Sequence, residues 1–129
     1  KNAVDVFNNK KCRFVLMHTN SEYPSREEKL NLNVISTLKD KFNCNVGYSG
    51  HESSVSPSLV ASALGAVSIE RHVTLDRSMY GSDQAASLEY VGIKNLVTTI
   101  RKLNIILGNG EKEITEVEHE VAKKLRYWE

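Results

Sequence analysis

The sequence predicts an α/β fold built around a small parallel sheet, and two observations carry that prediction. Apolar runs at 13–18 (RFVLMH), 46–49 (VGYS) and 66–73 (AVSIERHV) alternate with segments of helical periodicity. The runs are short and close to continuous, which marks strands buried on both faces, as in parallel sheets. The order is (α)βαβαβα followed by a charged tail, the pattern of successive βαβ units. Three parallel strands do not close a barrel. They form a slice of one or a small open sheet, and either leaves two edges.

Residues 2–9 (NAVDVFNN) place Ala3, Val4, Val6 and Phe7 on a short amphipathic helical fragment, the tail of a helix. After the first strand comes a polar stretch with Pro24 and the helix-starting pattern Ser25-x-x-Glu28. Leu30, Leu32, Val34, Ile35 and Leu38 then predict a helix to about Phe42. The second strand lies between Asn45 and Gly50. Pro57 opens a short helix (SLVASAL) that ends at Gly65. The third strand runs into a long loop through Tyr80–Ala86. A helix is predicted from Leu88 to Leu107, with Ser87 as its cap and Gly108 closing it. Gly108-Asn109-Gly110 reads as a turn. From Glu111 to Glu129, Ile114, Val117, Val121 and Leu125 recur at helical spacing in a charged stretch, a linker helix leaving the domain.

The bulk numbers narrow the function classes. The chain's 129 residues amount to one domain with one modest core. It is 40% hydrophobic and 26% charged, an ordinary globular composition. A formal charge of +1 offers no field for nucleic acid or an anionic membrane. Lys10, Lys11 and Arg13 form a short basic run, read as a solvated loop edge. No apolar run is long enough to span a bilayer. Cys12 and Cys44 show neither metal-ligand spacing nor a disulfide framework, so the expected compartment is the reducing cytoplasm. The chain starts Lys1-Asn2-Ala3 without Met, which predicts a piece of a longer or processed polypeptide. There is no nucleotide fingerprint or P-loop.

Ligands of parallel α/β sheets bind at the C-terminal ends of the strands. Each predicted strand here ends at or beside a histidine: His18, His51 and His72. Side chains alternate between faces along a strand, so Ser49 shares a face with His51, and Glu70 with His72. Two imidazoles on neighbouring strand ends suit manganese, iron, cobalt or zinc and leave coordination positions for water and substrate. Glu70 is expected as a buried carboxylate supporting a ligand. The plainer reading, that each histidine caps its strand by bonding backbone, stands beside the metal reading. His18 is expected to pack or hydrogen-bond at the rim, and His119 to be solvated on the tail helix. In the loop after the third strand, Asp83 is placed to hydrogen-bond a polyol.

An ordered set of motifs then resembles the sialic acid (N-acetylneuraminate) synthase family. The motifs are His18-Thr19-Asn20-Ser21-Glu22-Tyr23-Pro24, Asn31-Leu32, Val46-Gly47-Tyr48-Ser49-Gly50-His51, Ala63-Leu64-Gly65-Ala66 and Glu70-Arg71-His72-Val73-Thr74-Leu75-Asp76. Gly81-Ser82-Asp83 and Ala86-Ser87-Leu88-Glu89 follow. The resemblance implies a partial TIM barrel, roughly its last three βα units, over residues 1–110. Residues 111–129 would be the linker helix toward an absent antifreeze-like domain. It implies an enzyme that condenses phosphoenolpyruvate with an N-acetylmannosamine-type sugar to a nine-carbon keto acid and phosphate. It implies a divalent metal, manganese above magnesium or cobalt, on His51 and His72 as the catalytic pair. It places Ser49 on the phosphoenolpyruvate side, Ser21 and Tyr23 in the substrate pocket, and Asp83 on the sugar. The complete enzyme would be a cytoplasmic homodimer with no nucleic-acid or membrane partner. The lysines and carboxylates of the family's earlier strands have no counterpart in these residues. The alternative function is a non-catalytic metal- or sugar-binding half-barrel that self-associates.

Overall fold

The computed structural model describes residues 2–126. Helix α1 (Asn2–Asn9) leads into β1 (Leu16–Thr19), α2 (Val34–Phe42), β2 (Val46–Gly50), α3 (Ser56–Ala63) and β3 (Ile69–Arg71). Then come α4 (Tyr90–Leu107) and α5 (Glu116–Leu125). The described strands form one sheet in the order β1-β2-β3, parallel throughout. The register pairs Thr19 with Ser49, Ser49 with Glu70, and Gly50 with Arg71. The α/β class and the parallel sheet are therefore as the sequence predicts.

Strand parity divides the sheet into two unlike faces. Leu16, Val46, Tyr48 and Ile69 point to the side covered by α2 and α3. There Ile35 of α2, Ala61 of α3, Val46 and Tyr48 form the buried core, with Leu16 and Ile69 packed against it. Met17, Thr19, Gly47, Ser49, Ser68 and Glu70 belong to the other face. Backbone crowding is close there: a Cβ on Gly47 would lie 2.2 Å from Ser68 Oγ and 2.5 Å from Met17 Sδ.

This division corrects an expectation. Only the central strand β2 is buried at every position, whereas Thr19 and Glu70 of the outer strands are exposed. Glu70 is thus an exposed carboxylate, not a buried one.

Two helix starts also differ from expectation, each because a backbone or hydroxyl group has a nearer partner. The Ser25 hydroxyl donates to the Glu22 carbonyl at 2.7 Å instead of capping a helix. A single tight turn, Glu27–Lys29, follows, and the helix itself waits until Val34. Leu88 is extended: its N–H donates to the His72 carbonyl at 2.8 Å, and its carbonyl accepts from Thr74 at 2.9 Å. That pairing holds the chain straight past Ser87, so α4 begins at Tyr90 and Ser87 Oγ donates back to the Asp83 carbonyl.

The ends of α3 and α4 agree with expectation. Pro57 sits in the first turn of α3, and Gly65 follows it at φ 88°, a conformation costly for a residue with a Cβ. Gly108 closes α4 at φ 63°. Cys12 and Cys44 are free thiols. No described helix is long and apolar enough to cross a membrane. The helix expected over 111–129 is present as α5, Glu116–Leu125, and residues 127–129 lie outside those described.

Helix α5 carries its own start signal. Thr115 Oγ1 accepts from the Glu118 N–H at 3.2 Å, and Glu118 Oε2 accepts from the Thr115 N–H at 2.8 Å. This is a capping box. Lys112 Nζ donates to Glu118 Oε1 at 2.8 Å. The Lys112 bond, then the bonds from Thr115, pull the Glu118 pKa down to about 2.

Two expected outcomes follow from these contacts. Ile35→Ala empties a fully buried position and should cost about 2–5 kcal/mol in urea unfolding. For Glu118 the folded value lies below the ordinary 4.5, so its stabilisation of α5 is complete above pH 4.5. It is lost as pH falls from there through about 2, and NMR secondary shifts of residues 116–125 should report fraying over that window.

Candidate functional site

One step beyond the last paired residues, Gly50 and Arg71, stand His51 and His72. The parallel register therefore sets them side by side at the C-terminal end of the sheet, on the face away from α2 and α3. Their ring centroids are 5.1 Å apart, edge to face at 85°.

His51 is 5% exposed and held from two sides. Its Nδ1 lies 2.8 Å from the Asn20 carbonyl, which can only accept, so Nδ1 carries the hydrogen. In the neutral ring the lone pair is then on Nε2. The Tyr23 hydroxyl lies 3.2 Å from Nε2 and donates to it. The His51 carbonyl accepts from the Ser25 N–H at 2.9 Å, tying the same loop back to the strand end. Asn20 Oδ1 shapes that loop by accepting from the Glu22 N–H at 2.9 Å.

His72 is half-exposed, and its Nδ1 lies 3.4 Å from Asp83 Oδ2. A carboxylate facing Nδ1 favours the hydrogen there and leaves Nε2 free. Asp83 arrives on the long loop after β3, where Ser82 Oγ donates to its other oxygen at 2.8 Å. The Tyr23 ring lies 4.2 Å from the His51 ring and 5.8 Å from the His72 ring, so three rings share one cluster.

The structure thus brings together four of the residues singled out in the sequence: His51, His72, Tyr23 and Asp83. Ser49 is one step deeper on the same face, and its hydroxyl donates to Glu70 Oε1 at 2.7 Å. Ser21 is exposed on the loop between Asn20 and Tyr23. His18 is apart from the cluster. Its side chain lies on the helix-covered face, with Nε2 2.7 Å from the Leu30 carbonyl. His119 is exposed on α5. Among the described residues no three His, Cys, Asp or Glu side chains converge as a metal-binding group. The donor set is two imidazoles, each oriented through Nδ1 with Nε2 as the lone-pair atom. That set fits a divalent metal whose remaining positions are filled by oxygen from water or a ligand.

Sequence reasoning missed what lies behind the pair. Glu52 follows His51, Arg71 precedes His72, and by parity both point to the helix-covered side. Arg71 Nη1 and Glu52 Oε1 are 2.9 Å apart, with side chains 1% and 0% exposed. Arg71 Nη1 also donates to the Ser54 carbonyl at 2.8 Å and to Ser58 Oγ at 3.0 Å. Nη2 donates to the Glu52 carbonyl. The Tyr48 hydroxyl donates to Glu52 Oε2 at 2.9 Å. Burial first, then the Glu52 charge, pushes the Tyr48 pKa up, so the phenol stays a donor. Burial lowers the Arg71 pKa, and the Glu52 carboxylate opposes that shift. A Cβ at Gly50 would sit 2.8 Å from both Glu52 carboxylate oxygens, so the glycine leaves the room this side chain fills. The available signal was parity: 46, 48, 50 and 52 share a face with the apolar core.

Comparison with known proteins agrees with the motif resemblance. A family model described as the NeuB family matches residues 1–112. The chain is 42% identical over 109 residues to N,N'-diacetyllegionaminic acid synthase of Campylobacter jejuni, covering 84% of this chain and 33% of that protein. It is 40% identical over 113 residues to human N-acetylneuraminate-9-phosphate synthase, covering 87% of this chain and 32% of that protein. The crystal structure of N-acetylneuraminic acid (sialic acid) synthetase from Leptospira borgpetersenii, in complex with citrate, superposes with a TM-score of 0.79 at 39% identity. That match covers 95% of this chain and 43% of the other. The chain therefore spans about a third of the length of these two curated relatives. By family model, sequence and structure alike, this chain belongs to the NeuB family.

Proposed function

We propose that this chain is the C-terminal part of the catalytic barrel of a sialic acid synthase-type enzyme. Residues 1–110 supply roughly the last three βα units, and residues 111–129 a linker helix. The reaction joins the methylene carbon of phosphoenolpyruvate to the aldehyde carbon of an open-chain N-acetylmannosamine-type sugar. Water adds at the carbon that bears the phosphate, and phosphate leaves. The complete enzyme works as a homodimer.

The observation that carries this reading is the His51–His72 pair at adjacent strand ends, with both Nδ1 positions engaged. These two side chains would hold a divalent metal, manganese first, through Nε2, with the Tyr23 hydroxyl releasing the His51 Nε2 lone pair that it bonds in the metal-free site. Bound there, the metal would supply Lewis-acid polarisation of the sugar's aldehyde oxygen. The protein's own groups do the rest. The Asn20 carbonyl and Asp83 carboxylate engage Nδ1 of the two imidazoles. Tyr23 lies over both rings and lines the pocket with Ser21. Asp83 presents its exposed carboxylate edge to sugar hydroxyls, and Ser49 faces the phosphoenolpyruvate side. The sheet face away from α2 and α3, with Ser49, Glu70 and both histidines, is the barrel lumen in this reading. Nothing in the structure favours the non-catalytic, self-associating half-barrel.

Manganese titration of the chain by calorimetry checks the ligands. His51→Ala and His72→Ala should each weaken Mn²⁺ binding by more than about 100-fold, beyond the effect of losing an outer partner. Unchanged manganese content in either variant would remove that residue from the metal site. Joined to the matching N-terminal portion of the Campylobacter relative, the chain should release phosphate from phosphoenolpyruvate only when N-acetylmannosamine or a related amino sugar is present. Turnover by the isolated chain would overturn the division of the site proposed here.

A further inference from the structure

We infer that Glu52 and Arg71 are positioning residues whose buried ion pair fixes how His51 and His72 face each other. The inference rests on the reading that the two imidazoles work as a pair, and it assigns the part of the molecule that makes them one.

The covalent arrangement is the first support. Glu52 is bonded to His51 and Arg71 to His72, while side-chain parity sends each charged group to the face opposite its histidine. A tie between the charges behind the sheet is therefore a tie between the imidazoles in front of it.

The direction of the hydrogen bonds is the second. β2–β3 pairing is recorded as far as Gly50 and Arg71. Beyond that point the Arg71 guanidinium takes over, gripping the Glu52 and Ser54 carbonyls, one and three residues after His51. The strand end bearing one histidine is thus clamped by the side chain that precedes the other. Tyr48 from β2 and Ser58 from α3 hold the clamp's carboxylate, so it is anchored in the core. The planar fork of arginine makes these contacts at once, and a lysine ammonium supplies a single point of charge.

The third is the exclusiveness of the space. The side chains are 1% and 0% exposed, so the pair has no role at the surface. A buried ion pair is a weak source of stability compared with apolar side chains of the same volume. Its place directly behind two paired imidazoles is accounted for by geometry that an apolar pair would not impose.

The test separates position from stability. In Glu52→Leu/Arg71→Leu, apolar side chains replace both charges, an exchange that buried ion pairs commonly tolerate. Two readouts are then taken on this chain: Mn²⁺ affinity by calorimetry, with the metal alone, and cross-relaxation between the His51 and His72 ring protons in metal-free protein by NMR. The expected result is a folded variant with Mn²⁺ affinity lower by about 10- to 100-fold and the ring cross-relaxation lost. Arg71→Lys should fall between the variant and the parent. A folded double variant with parental affinity and parental cross-relaxation would overturn the inference. If the parent chain itself binds no Mn²⁺, the metal reading fails, and the metal-free cross-relaxation still decides whether the ion pair positions the rings. If the double variant does not fold, Glu52→Gln and Arg71→Lys decide by the same readouts, with parental values in both counting against the inference.

Discussion

A carboxylate and a guanidinium in the interior between a sheet and its helices must compensate each other, because each has given up its water. Glu52 and Arg71 do so at 2.9 Å, with the phenol of Tyr48 and the hydroxyl of Ser58 completing the carboxylate's partners. Removing one partner of such a pair typically costs about 3–5 kcal/mol, since the other charge is left buried alone. Much of the local sequence is bound by this requirement. Gly50 has no side chain where the carboxylate folds back, Ser58 is fully buried, and Tyr48 extends from β2 to the same point. Arg71 Nε is buried without a hydrogen bond among the described residues, so even this network is not complete.

The sheet turns that local constraint into a site. Parallel register brings three strand ends to one level, and parity sorts their side chains into a core face and an opposite face. The core face holds Ile35, Val46, Tyr48 and Ala61. The opposite face carries Ser49 and His51, both buried, with Glu70 and His72 beside them and Tyr23 and Asp83 approaching from the loops. The same alternation that builds the core therefore also sets the chemistry, and a one-residue slip of β2 would exchange the two.

Much of the architecture was legible in the sequence. The succession of three strands along the chain and their approximate positions came from short apolar runs, and the C-terminal-end rule led to His18, His51 and His72, of which the last two lie side by side. Parity paired Ser49 with His51 and Glu70 with His72. Elsewhere the local pattern misled, because a tertiary partner outcompeted a local one. Ser25 resembles a cap, yet its hydroxyl turns to the Glu22 carbonyl. Leu88 resembles the first turn of a helix, yet it pairs with residues 72–74. Continuous apolar runs suggested two covered faces, but burial on the second face depends on elements not encoded in the run itself. Glu52 and Arg71 escaped notice because single charged residues in a loop and at a strand end ordinarily read as solvated. The Tyr23 contact to His51 spans 28 residues and has no periodic signature at all.

The glycine at position 50 has a consequence for anyone moving this site to another scaffold. Copying the two imidazoles onto neighbouring strand ends would reproduce the donor atoms without the support that holds them. The transplantable unit extends through the sheet to its far side: Gly50 for clearance, Glu52 and Arg71 for the clasp, and Tyr48 with Ser58 as its anchors. A host strand with any larger residue at the clearance position would force the carboxylate outward and release the clasp. The compatibility of a host would thus be decided on the side of the sheet that never meets a ligand.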